Sequence, residues 1–265
     1  MLAVCATPIG NVEDVTLRVL AELRAADVVL AEDTRRTRTL LDRHAIDVPL
    51  LSYHEHNEAA RVAELVPRLV EGDRMALVSD AGLPGISDPG VRLVRAARDA
   101  GVEVTVLPGA SAVETALVAS GLVAQRYLFV GFLPRRQAEL AALWRELAQW
   151  SWPVVAFESP RRLPASLASL AAVDPSRTVA VCRELTKRFE EIRVGPATEL
   201  AHALREPVKG EVTLVLGPPS APDGEEEARR ATAELVADGT SRRLAADVVS
   251  RLTGVPRNVL YRSTL

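Results

Sequence analysis

Short apolar and β-branched runs recur along this chain at intervals that leave room for one or two amphipathic helices between them. No other feature limits the possible folds so strongly. LAVCA at 2–6, DVVLA at 27–31, MALVS at 75–79 and VEVTVL at 102–107 read as strands, and the segments near 14–25, 34–43, 58–71 and 90–100 carry helical spacing. Such βα alternation predicts a largely parallel sheet. Further strands are expected at 127–132 (YLFVGF), 153–158 (PVVAFE), 178–182 (TVAVC), 190–194 and 211–217 (EVTLVLG), with helices near 137–149 and 161–171. The later ones lie close together and are expected to pair partly antiparallel. The fold class is therefore α/β: an N-terminal, mostly parallel domain over 1–121, a mixed-sheet α/β domain over 122–218, and a linker with a small helical tail over 219–265. PPSAPDGEEEA has linker composition.

With 265 residues and 48% hydrophobic content, the chain can bury one or two substantial cores. Its formal charge of −3 means that a nucleic-acid partner would have to be met by local basic patches and not by a global field. Cys5 and Cys182 stand far apart inside apolar runs, as expected of buried thiols in a reducing compartment. The start MLAVCATPIG has no basic leader region, and no apolar run reaches the roughly eighteen residues of a membrane span. A soluble, cytoplasmic protein with no membrane association is expected.

Polar, glycine-bearing loops follow the expected strands: TPIGN, SDAGLPGISDPG, PGASA, LPRR and ESPRR. Ligands of open parallel sheets bind beyond the carboxyl ends of the strands, so these loops can converge on one crevice. Common phosphate signatures are missing. No two glycines stand two residues apart, which excludes a dinucleotide fingerprint, and Val91 occupies the place of the phosphate-loop lysine after Gly85 and Gly90. His54-Glu55-His56 has no third ligand or cysteine cluster beside it and reads as a solvated loop, so no metal site is expected.

Taken in order, TPIGN, AEDTRRTRTLL, SYHEHNE, LVSDAGLPGISDPG, LPGASA, GFLPR, ESPRRL, CRELTKRFEE and KGEVTLVLG resemble the motifs of the ribosomal small-subunit (16S) RNA cytidine-2′-O-methyltransferases. That family lies within the tetrapyrrole-methylase-like (class III) group of S-adenosylmethionine-dependent methyltransferases. The resemblance covers nearly the whole chain and implies the two-domain fold of that group. The wider group usually carries Gly-x-Asp-Pro in the third-strand loop; Ser79-Asp80-Ala81-Gly82 stands there instead, as in the ribosomal branch, which weakens a tetrapyrrole substrate.

The resemblance implies S-adenosylmethionine in a cleft between the domains. Pro8, Ser79, Asp80, Ala81, Ile86, Ser111 and Ala112 would contact it from the N-terminal side, and Phe132, Leu163, Leu185 and Thr213 from the C-terminal side. Lys187, Glu190 and Asp33, with Glu184 nearby, are candidates to take the proton from a ribose hydroxyl, or else ordinary ion-pair partners. A lysine could do so only if its pKa were lowered. Arg35, Arg36, Arg135, Arg136, Arg161, Arg162 and Arg188 stand in or beside the motif loops, where they could meet RNA phosphates. From 241 onward five arginines, Arg257 among them, face the single Asp247 in a stretch with helix-turn-helix spacing, serving either RNA contact or packing. The resemblance also implies a homodimer. A small-molecule methyltransferase of the same fold, or a non-enzymatic RNA-binding assembly factor, would use the same scaffold differently.

Overall fold

The strand signal of the first half reflects burial on both faces. In the computed structural model, which describes residues 1–219 and 224–263, β1 (Leu2–Cys5), β2 (Val28–Ala31) and β4 (Met75–Val78) are buried at every position. With β3 (Leu50–Ser52) and β5 (Val104–Leu107) they form a parallel sheet in the order β3-β2-β4-β1-β5. Side chains alternate between the faces. Ala3, Cys5, Val29, Ala31, Ala76 and Val78 enter one core with α1 (Leu17–Ala25) and α2 (Thr34–Arg43). Leu2, Val28, Leu30, Met75 and Leu77 enter another with α3 (Glu58–Val70) and α4 (Val91–Asp99).

The third strand was not expected from the sequence. Only three residues long, it is too short to show a period and is recruited by pairing Val29 with Leu50 on the sheet edge. A further helix, α5 (Ala112–Ala119), then leads into the second sheet.

That sheet contains β6 (Leu128–Phe132), β7 (Val154–Glu158), β8 (Thr178–Arg183), β9 (Glu191–Pro196) and β10 (Val212–Leu216), in the order β6-β7-β10-β8-β9. Only its β6–β7 pair is parallel, so the expected mixed sheet is found. One face packs on α6 (Gln137–Leu147), α7 (Leu163–Ala171) and α8 (Ala197–Ala203). The seven-residue α8 escaped the sequence reading because it is too short for helical periodicity to emerge. The other face takes Val113, Ala116 and Leu117 of α5 against Val155, Ala180, Cys182 and Val215. Those three are spaced as one helical stripe. Ile9, Ala81 and Ala110 from the loops of the first sheet join this core, and both sheets belong to one compact unit, Met1–Pro218.

A second compact unit covers Pro219–Leu265. Of the expected linker, 220–223 lie outside the described residues, and α9 (Glu225–Ala237) already begins within its acidic end. The helices α10 (Arg242–Thr253) and α11 (Arg257–Arg262) enclose the expected turn, closed by Gly254 at φ +75°. Ala228, Ala246, Val249, Val255 and Leu260 form the core of this unit.

Candidate active site

The loops leaving the carboxyl ends of the first sheet are bound to one another before any ligand is considered. Thr7 N donates to the Gly82 carbonyl at 2.8 Å and Gly82 N returns a bond to the Thr7 carbonyl at 3.1 Å, so the TPIGN and SDAG loops pair. The Thr7 hydroxyl adds a bond to the Ser79 carbonyl at 3.0 Å. At the far end of the 79–90 loop, Gly90 N donates to Glu58 at 3.1 Å, and Glu58 is itself held by the Tyr53 hydroxyl at 2.8 Å. Gly90 has φ +141°, and a Cβ there would meet Leu77 at 2.9 Å, so glycine is required. Asp80 accepts from Asp33 N at 3.0 Å and pairs with Arg36 at 3.2 Å, which fastens the loop to the start of α2.

From the second sheet the segment 184–187 reaches across. Glu184 and Thr186 have φ of +53° and +64°, left-handed values that side-chain-bearing residues seldom adopt. Thr186 accepts from Asn11 N at 2.9 Å. The TPIGN loop passes so close that a Cβ on Gly10 would lie 2.5 Å from Lys187 Cγ and 2.7 Å from the Leu185 carbonyl oxygen.

Between these loops lies a cleft of about 500 Å³, within the range of small-molecule sites. Ile9, Leu83, Ile86, Phe132, Phe157 and Leu185 make much of its wall apolar. Glu32, Asp80, Asp88, Glu114, Glu158 and Glu211 belong to its lining, and among the described residues no lysine, arginine or histidine does, although Arg36, Arg162 and Lys187 pair with Asp80, Glu158 and Glu211 from outside it. Burial, reinforced by the charge of Asp80, raises Glu32 above the ordinary carboxylate value. Burial, then the charge of Glu32, pushes Asp88 up to about 6. These two carboxyls therefore have a greater proton affinity than ordinary carboxylates. Burial also raises the Cys182 thiol, to about 11, so it stays protonated at the cleft wall.

Of the residues proposed to hold a cofactor, Asp80, Ala81, Ile86, Ser111, Ala112, Phe132, Leu185 and Thr213 line this cleft. Pro8 and Ser79 instead line an adjoining cavity of about 190 Å³. Leu163 lines neither; it is fully buried in the core beneath α7 and is a packing residue.

The candidate bases fare differently. Asp33 caps α2, and hydrogen bonds from the Arg35 side chain and backbone pull its carboxyl down to about 2, the wrong direction for a proton acceptor. Lys187 lines the smaller cavity, held by Glu184 at 2.8 Å and Glu211 at 2.9 Å. Burial alone would lower its pKa, but these bonds outweigh burial and hold it above the ordinary lysine value, so it acts as a fixed cation. Glu190 accepts from Thr186 N at 2.6 Å and braces the strained loop from outside. The sequence reading missed Glu32 and Asp88, although both stand inside motifs it used.

Among the arginines, Arg35, Arg36, Arg135, Arg136, Arg161 and Arg188 are exposed. Arg188 stacks over Phe189, with its guanidinium 5.5 Å from the ring centre. Arg257 pairs with Asp247 at 2.9 Å within the tail. Arg162 does not project outward. It binds Glu158, whose side chain is wholly buried, and donates to the Leu133 carbonyl at 2.9 Å, so it is a structural residue and not a phosphate ligand.

Comparison with known proteins agrees with this architecture. Residues 1–201 match the family model described as Tetrapyrrole (Corrin/Porphyrin) Methylases. A protein from Micromonospora olivasterospora named Ribosomal RNA small subunit methyltransferase I is 46% identical over 260 residues, covering 96% of this chain and 83% of that protein. One of the same name from Synechocystis sp. is 40% identical over 271 residues, covering 100% and 97%. Among solved structures, the methyltransferase CobJ matches with a TM-score of 0.64 at 20% identity, over 83% of this chain and 95% of that one, which is a likeness of fold. The chain therefore belongs to the tetrapyrrole methylase family, methyltransferases whose methyl donor is S-adenosylmethionine.

Proposed function

We propose that the chain transfers a methyl group from S-adenosylmethionine to the 2′-oxygen of a cytidine ribose in small-subunit ribosomal RNA. The observation that carries this reading is the extent of the likeness. The family model ends at residue 201, whereas the relatives named as ribosomal RNA methyltransferases match over 79% to 100% of the chain, those from Micromonospora olivasterospora and Synechocystis sp. over 96% and 100%. That likeness therefore takes in residues the general methylase scaffold does not account for.

The cleft suits the donor chemically. S-adenosylmethionine, when bound, supplies a methyl group activated on a positively charged sulfur. Asp80, Glu158 and Glu211 are each paired with a cation outside the cleft, whereas Glu32, Asp88 and Glu114 have no such partner among the described residues, and their charge favours a ligand of net positive charge. Ile9, Leu83, Ile86, Phe132 and Leu185 offer apolar surface to a nucleobase, and the Ser111 and Thr213 hydroxyls are available to polar groups. Loops that are already bonded to one another fix the donor before the acceptor arrives, and that pre-alignment supplies much of the rate of such a transfer. Glu32 and Asp88, whose proton affinity is raised, are the cleft carboxylates suited to receive the hydroxyl proton. Once the methyl has left, the cleft holds a ligand with one positive charge fewer, and its attraction weakens in favour of release.

Incubation with methyl-tritiated S-adenosylmethionine and undermethylated small subunits, naked small-subunit RNA or a tetrapyrrole precursor tests the reading. Nucleoside digestion should place the label in 2′-O-methylcytidine. Label found only in the tetrapyrrole, only on a base, or in none of the three would overturn it.

A further inference from the structure

The smaller cavity beside the cleft differs from it in charge. The two share the walls formed by Ile9, Asp80, Ala81 and Glu211, so a group in one lies next to a group in the other. Yet among the described residues the cleft has no cationic lining residue, whereas the cavity has Arg36 from α2 and Lys187 from the strained 184–187 loop. They come from the connections of the two different sheets, and the carboxylates they pair with in the cavity wall, Asp80 and Glu211, are the two that the cavity shares with the cleft.

This division bears on a polyanionic substrate. A phosphate brought up to the cleft itself would meet the charges of Glu32, Asp88 and Glu114 with no lining cation to offset them, and like charges set against each other oppose binding. The cavity is the neighbouring space where a phosphate finds cations. We infer that it is the subsite for the methyl acceptor: a ribose flanked by phosphate, with Arg36 and Lys187 binding phosphate oxygens and the sugar hydroxyl turned toward the wall shared with the cleft. The inference rests on the RNA reading above and adds to it the place and the residues through which the acceptor enters.

Both cations are prepared for such an exchange in different ways. Arg36 is 64% exposed and pairs with Asp80 at 3.2 Å. Solvent screens exposed pairs of this kind, so the guanidinium can trade its carboxylate for a phosphate at little cost. Lys187 is more constrained. Glu184 and Glu211 hold its ammonium from two sides, and the loop bearing it is locked by Asn11 against Thr186 and by the close passage of Gly10. One cation is therefore mobile and able to grip a phosphate in bidentate fashion, while the other is a fixed point charge. Asp80 occupies the boundary: it lines both spaces and loses its Arg36 partner when phosphate arrives, leaving its charge to the cationic donor side.

The test uses the full-length protein with small subunits that the wild type methylates. KM for the RNA substrate is measured across a salt series for wild type, Arg36→Gln, Lys187→Gln and Lys187→Arg, and the affinity for S-adenosylmethionine is measured separately by calorimetry. Arg36→Gln and Lys187→Gln should each raise KM on the order of tenfold. Each should lower the slope of log KM against log salt by about 0.7, the signature of one lost contact to single-stranded phosphate. Affinity for S-adenosylmethionine should not fall by more than about twofold, since Arg36→Gln frees the Asp80 carboxylate toward the donor side, and Lys187→Arg should recover most of the loss in KM. Unchanged KM and salt slope in Arg36→Gln, or a fall in S-adenosylmethionine affinity that matches the rise in KM, would overturn the subsite. Arg36 lies on an exposed helix face, so its variant decides the matter even if Lys187→Gln loosens the loop. A wild type that labels no RNA would instead refute the RNA reading itself.

Discussion

Asp88 and Arg162 show how neighbours decide what a charged residue does. Asp88 sits in the cleft wall with its carboxyl pushed up to about 6 by burial and by Glu32. Its anion helps attract a sulfonium, so affinity for S-adenosylmethionine should weaken as the pH falls from 7 to 5, and Asp88→Asn should flatten that dependence in a calorimetric pH series. The sign for stability is the opposite. The folded chain binds the Asp88 proton more tightly than the unfolded chain does, so this group makes the fold more stable as pH falls from about 6 toward the ordinary value of 3.8. An affinity independent of pH over that range would count against placing Asp88 beside the cation. Arg162 is governed by Glu158, whose side chain is entirely buried. Arg162→Ala strands that carboxylate and should cost about 3–5 kcal/mol in urea denaturation. A loss below about 1 kcal/mol accompanied by weaker RNA binding would return Arg162 to the phosphate-contacting set.

At the scale of elements, the site is a set of loops braced against one another more than a set of side chains. The TPIGN loop and the 184–187 loop touch at Gly10, where a methyl group would run into backbone as well as side chain. Gly10→Ala should therefore destabilise the protein by about 1–3 kcal/mol. It should also weaken S-adenosylmethionine binding, because Leu185 lines the cleft one residue from Thr186, which anchors the contact. Stability equal to wild type with full cofactor affinity would show that the two loops do not depend on each other. Local pattern conveyed the main strands and helices well, since Val, Ile, Leu and Ala runs and amphipathic spacing follow from burial. It failed at β3 and α8, which are held by their neighbours and are too short to have a pattern of their own.

For the molecule as a whole, the motif order in the sequence was enough to reach the family, and through it eight of the cleft-lining residues. What remained illegible was direction. Nothing in ESPRRL distinguishes Arg161, which faces outward, from Arg162, which turns inward to a buried carboxylate. Nothing in ELTK announces that Lys187 is clamped between Glu184 and Glu211. Asp33, read from the sequence as a candidate base or ion-pair partner, instead caps α2. The claim on which the account depends is that the carboxylate-lined cleft takes up the sulfonium donor. It is tested most directly by calorimetric titration of S-adenosylmethionine into wild type and into Ala112→Trp, whose indole would fill the cleft from the first turn of α5. The account requires one site per chain in the wild type and none in the filled variant; no uptake by the wild type, or equal uptake by both, would contradict it.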